Sequence, residues 1–126
     1  MQALLLVALG GALGAAARYG VSQGAVRLGL QGFVATGAIN VAGSVAIGAC
    51  YVLIVERMVL PPEWRHLLMV GVLGAFTTFS AFSLELVMLL HQDRWTTALG
   101  YLLTSVVFCL AGCAGGIALA RWALNG

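Results

Sequence analysis

Gly71-Val72-Leu73-Gly74-Ala75-Phe76-Thr77-Thr78-Phe79-Ser80-Ala81-Phe82-Ser83 is the stretch on which the fold turns. It sets four hydroxyls and three phenyl rings inside an apolar run, Leu67 to Leu90, whose one charge is Glu85. As a helix that run reaches roughly 36 Å, enough to cross a hydrocarbon core of about 30 Å. Hydroxyls at that depth meet no bulk water. They must bond to backbone, face another helix or line a hydrated path. Gly71 and Gly74, just ahead of them, make a local break in the helix easy.

Working outward, the rest of the chain is equally apolar. Of its 126 residues 62% are hydrophobic and 8% charged, a balance that belongs to an integral membrane protein. The uncharged windows predict an all-α fold with four transmembrane helices at about 2–21, 32–56, 62–90 and 96–123, forming one membrane domain over 1–126. In the first segment the first charge, Arg18, follows the apolar run. Ala15-Ala16-Ala17 is therefore read as helix and not as a signal-peptide cleavage region. Trp64, Trp95 and Trp122 fall at the predicted boundaries, as interfacial aromatics do. Pro61-Pro62-Glu63 reads as the start of the third helix, with prolines and an acid in its first turn. Ser22 to Gln31 reads as the connector between the first two. The pairs Gly10/Gly14, Gly20/Gly24 and Gly112/Gly116 offer small faces for close helix contact.

Composition also narrows the chemistry. The acids are Glu56, Glu63, Glu85 and Asp93 and the histidines His66 and His91, and all except Glu85 lie at helix ends or in loops. No nucleophile, base and charge-stabilising group converge, and the connections are too short for a folded catalytic domain, so an enzyme is not expected. Cys50, Cys109 and Cys113 fall inside spans and read as packing residues, with no disulfide and no metal assigned to them. Nothing here calls for a nucleic-acid partner.

The six arginines divide evenly. Arg57, Arg65 and Arg121 lie on the face that bears the termini, and Arg18, Arg27 and Arg94 on the opposite one. Membrane orientation follows the Lys/Arg bias, and three against three gives none. Either something weaker decides insertion, or the chain inserts both ways and assembles with an inverted copy. The second reading supplies the mass that so small a chain lacks.

On a helix, Phe79 and Phe82 share a face at i, i+3. The edge of a phenyl ring is positive, so ring edges can touch a small anion without trapping it. Thr78, Ser80 and Ser83 can donate hydrogen bonds to an ion that has shed water. Each residue taken singly has a plainer reading, with rings packing and hydroxyls bonded back to carbonyls four residues earlier. The cluster as a whole favours the ion. Asn40, the one strong polar group in mid-helix 2, either bonds to another helix or donates to the anion, and one amide can do both.

These residues together resemble the Fluc fluoride channels of the CrcB family. Gly11-Ala12-Leu13-Gly14-Ala15-Ala16-Ala17-Arg18-Tyr19 looks like the family's first-helix signature, and Thr36-Gly37-Ala38-Ile39-Asn40-Val41-Ala42-Gly43 like its Thr-x-x-x-Asn-x-x-Gly motif. The stretch 71–83 resembles its Gly-Gly-x-Thr-Thr-Phe-Ser-Thr-Phe core, with Ala75 and Ala81 in place of the usual second Gly and the usual Thr. The resemblance implies a third helix broken in mid-membrane and an antiparallel, dual-topology homodimer in the bacterial inner membrane. It further implies two fluoride pores carrying the ion passively out of the cell. Phe79 and Phe82 are then the phenyl pair of the permeation path, Asn40 a polar pore group, and Tyr101 and Ser105 the start of a polar track on helix 4 that continues to Cys109 and Cys113. A structural sodium ion is implied at the dimer centre, on the backbone carbonyls of Gly74 and Thr77. The competing reading is a proton-coupled small-molecule exporter of the small multidrug resistance type, whose first-helix acid this chain lacks. A non-transporting membrane subunit is the third.

Overall fold

The computed structural model describes all residues, Met1–Gly126, and contains helices and turns only. Four stretches are long and apolar enough to span a membrane: Gln2–Arg27, Gly32–Glu56, Arg65–His91 and Trp95–Asn125. The first is α1, the second α2 and the fourth α5. The third is interrupted, so residues 65–76 are α3 and Phe79–His91 is α4. Only 19 of 126 residues are buried, because the leucines, valines and phenylalanines of each span point outward, as lipid-facing side chains must. The chain is a multi-pass membrane protein.

Two tightly packed helix pairs build the domain. α1 lies against α3 and α2 against α5, in each case where glycine lets backbones touch. A Cβ on Gly14 would run into the Val72 carbonyl, and one on Gly116 into that of Val45. Without a hydrophobic drive between helices in lipid, such close approach supplies the packing. Nothing lies within 4 Å of the corresponding position on Gly20 or Gly24, so that expected contact face is open.

The ends differ from the sequence expectation by a few residues. α1 runs on to Arg27 and absorbs most of the expected connector, because the first conformational stop is Gly29 at φ +74°. The third span starts at Arg65 instead of near Pro62. Three tight bonds, from the Trp64, Arg65 and His66 amides to carbonyls three residues back, first turn the chain from the proline pair. The end of α2 (Tyr51–Glu56) and the start of α3 (Arg65–Leu73) are wide π turns. Between them Met58 takes a left-handed φ of 49°, and the Leu53 carbonyl accepts from both Val59 and Leu60. At the same membrane face Arg121 grips Glu56 with two nitrogens, at 3.0 and 2.6 Å. The Arg121 side chain is half-exposed and that of Glu56 about a quarter exposed, so solvent screens this clamp and it contributes little.

The break falls at Thr77 and Thr78, which are extended (ψ 157° and 120°). Gly74, expected to ease it, is itself helical at φ −62°. Two β-branched residues with local hydroxyl bonds make the interruption. Thr77 Oγ1 donates to the Leu73 carbonyl at 2.9 Å, and Thr78 Oγ1 caps α4 by accepting from the Ala81 amide at 3.2 Å.

Candidate functional site

An interrupted helix leaves backbone groups that need partners in a medium without water. Asn40 answers both backbone groups of one residue, Thr78. Its Oδ1 accepts from the Thr78 amide at 2.8 Å and its Nδ2 donates to the Thr78 carbonyl at 2.9 Å. The pairing joins α2 to the break and fixes the amide orientation. Gly43, one turn further along α2, admits the Thr77 side chain, which a Cβ there would strike. Two carbonyls stay free. Those of Gly74 and Thr77 accept no hydrogen bond within the chain, since the Thr78 amide turns to Asn40 and the Ala81 amide to Thr78 Oγ1.

A groove of about 470 Å³ opens beside the break, lined by Asn40, Gly43 and Ser44 of α2, by Leu73, Gly74, Thr77, Thr78, Phe79 and Phe82 around the break, and by Ser105, Val106, Cys109 and Leu110 of α5. The hydroxyls divide sharply according to their partners. Ser44 Oγ donates to the Asn40 carbonyl at 2.7 Å and Ser83 Oγ to that of Phe79 at 2.9 Å, which commits both protons to the backbone. Ser83 and Ser80 lie outside the groove, Ser80 near Thr78 Oγ1 at 3.4 Å. Ser105 is 8% exposed, lines the groove and has no partner in the chain. The available donors are thus the Ser105 hydroxyl, the second Nδ2 proton of Asn40, the Thr78 hydroxyl and, weakly, the Cys109 thiol. No full charge lines the groove.

The two expected phenyls do meet, with ring centroids 5.6 Å apart, but in unlike settings. Phe82 is 6% exposed, edge-on to Tyr101 at 5.0 Å, whereas Phe79 is 79% exposed. Tyr101 is not a free donor, since its hydroxyl donates to Glu85 Oε2 at 2.9 Å. Thr36 Oγ1 donates to the other carboxylate oxygen at 2.8 Å. Sequence reasoning treated Glu85 as a lone acid and missed this three-residue cluster. Thr36 stands one turn before Asn40 on α2, and that spacing was the available signal.

Glu85 and Thr36 line a second cavity of about 270 Å³ with Arg18, Tyr19 and Ser22 of α1. It belongs to the half of the domain where α1 ends and α2 begins. Thr78 lines both cavities and so forms the wall between them. An anion drawn toward Arg18 would find donors again only beyond Thr78, with no cation to hold it there.

The family model described as "CrcB-like protein, Camphor Resistance (CrcB)" matches residues 5–117. Among curated proteins, the "Fluoride-specific ion channel FluC" of Saccharophagus degradans is 48% identical over 115 residues, which is 91% of this chain and 86% of that one. The protein of the same name from Hahella chejuensis is 45% identical over 94% of both chains. Its namesake from Paracoccus denitrificans is 46% identical over 93% of both.

Proposed function

Because this chain belongs to the CrcB-like protein family, we propose that it is a fluoride-specific ion channel of a bacterial cell membrane, carrying the ion passively down its electrochemical gradient. One observation carries the reading furthest: the groove holds several free hydrogen-bond donors, a phenyl pair and no fixed cation. Fluoride is small and holds water tightly, so a path must replace that shell at short range without binding the ion too long. Asn40, Thr78 and Ser105 supply donors, and Phe79 and Phe82 supply positive ring edges. Tyr101 acts beside the route, through its contact with Phe82 and its hydroxyl bond to Glu85. Ser80 and Ser83, outside the groove, have no part in this route.

The pore is completed, in this reading, by an inverted second copy. Three features support the antiparallel dimer. Phe79 is exposed beside an open groove, two carbonyls at the break lack partners, and the arginines divide three to three. Carbonyl oxygens are the donors a hard alkali cation prefers, so the Gly74 and Thr77 oxygens fit a sodium ion shared between copies. Such an ion would neutralise carbonyl dipoles that are otherwise unpaired.

Purified protein in liposomes tests the function. Fluoride efflux measured by electrode, without a proton gradient, is the expected result. Efflux that requires a proton gradient would favour a coupled exporter, and none at all would leave only a structural subunit.

A further inference from the structure

The phenyl pair is the inner end of a longer aromatic row. Phe79 meets Phe82 at 5.6 Å, Phe82 meets Tyr101 at 5.0 Å, and Tyr101 meets Phe33 at 5.3 Å. The row ends at Arg94, whose guanidinium lies 5.8 Å from the centre of the Phe33 ring. Nη1 of Arg94 also donates to Gln31 Oε1 at 3.0 Å, and no carboxylate lies within ion-pair distance of it. Gln31 immediately precedes α2 and Arg94 immediately precedes α5, so this contact ties together the starts of the two helices that carry Phe33 and Tyr101.

We propose that Phe33 and Arg94 are positioning residues that hold Tyr101, and through it Phe82, in the orientation the ion path uses. The proposal rests on the fluoride-channel reading. The Tyr101 ring is held by Phe33 at 5.3 Å, by Phe82 at 5.0 Å and by the hydroxyl bond to Glu85. Its ring and that of Phe82 meet edge to face, an arrangement set by ring quadrupoles and lost when a ring turns. Without the Phe33 ring, Tyr101 keeps the Glu85 bond but loses one of its two ring contacts, and the orientation of Phe82 beside the groove loosens with it. Arg94 holds Phe33 through a cation–π contact, its guanidinium 5.8 Å from the ring centre.

The test is fluoride efflux from liposomes, with size-exclusion chromatography as the check on folding. Phe33→Leu keeps an apolar side chain and removes the ring. It should slow efflux about three- to tenfold, the factor that corresponds to one aromatic pairing. Phe33→Tyr, which keeps the ring, should restore efflux. Adding Phe33→Leu to Phe82→Leu should cause little further loss, because the first residue acts through the second. Arg94→Gln should also slow efflux, and the loss should persist at about 1 M of an impermeant salt, where charge attraction is screened beyond roughly 3 Å.

A folded Phe33→Leu protein with normal efflux overturns the proposal. So does a double variant whose losses multiply, or an Arg94→Gln loss that salt abolishes. If Phe33→Leu fails to fold, Arg94→Gln decides, and normal efflux through it is refuting. Absence of fluoride efflux from the unmodified protein would sink the channel reading and this proposal together.

Discussion

Replacing Asn40 by alanine gives the sharpest test of how the interrupted helix is held. The amide makes two bonds to the backbone of a single residue, at 2.8 and 2.9 Å, and no other group in the chain bonds to the Thr78 N–H or C=O. Thr78 is 8% exposed, so water is poorly placed to substitute. Each buried backbone group left unpaired costs about 1–3 kcal/mol, which puts Asn40→Ala near 2–6 kcal/mol. That is comparable with the whole stability of many domains, about 5–15 kcal/mol. Even the lower figure corresponds to roughly a thirtyfold shift against the native break. Asn40→Asp should be worse. It keeps an acceptor for the Thr78 amide but sets a carboxylate oxygen against the Thr78 carbonyl, adding charge where the anion must pass. The assays are thermal loss of the folded species by size exclusion and fluoride efflux from liposomes. An Asn40→Ala protein with unchanged melting and unchanged efflux would refute the reasoning, since the break would then stand without its clamp.

The glycines at the break separate packing within one copy from packing between two. Gly43→Ala drives a methyl into Thr77 and should lower the stability of the single chain. A Cβ on Gly74 comes no closer than 3.6 Å to anything, so Gly74→Val should leave the chain folded and impair only dimer and flux. An intact dimer in Gly74→Val would contradict the proposed interface. Gly29 is left-handed, so Gly29→Val should cost about 1 kcal/mol in melting experiments although it meets no neighbour. Phe79→Ile should slow fluoride efflux sharply without loss of fold, because the ring is exposed in one copy. Phe82→Ile should slow efflux and also destabilise by about 1 kcal/mol, because that ring is packed against Tyr101. Normal flux through both would place the path elsewhere. Reporter fusions at Gly126 should find the C-terminus on both sides of the membrane, and a single orientation would exclude the antiparallel dimer.

Much of the fold was legible residue by residue. Transfer of an apolar side chain into lipid is a property of that side chain, so summed hydropathy placed four spans within a few residues. The position of the hydroxyl and phenyl cluster, the lone Asn40 and the even division of arginines are also plain in the sequence, as are the motifs that carry the family resemblance. Hydrogen-bond partners are another matter. Thr77, Ser83 and Ser105 look alike as hydroxyls in apolar helices. Thr77 and Ser83 turn back to carbonyls four residues earlier, and Ser105 stays free beside the groove. Glu85 and Tyr101 are 16 residues apart, and Asn40 and Thr78 are 38 apart. Which of them meet depends on the packing of α2 against α5 and of α1 against α3. Local propensity has no information on that, because it is set by where whole helices approach each other. The sequence by itself determined that this chain lives in a membrane and handles something small and polar there. Only the tertiary structure decided where the third span breaks, which residue's backbone Asn40 serves and which donors remain for an ion, because each of those depends on distances between helices.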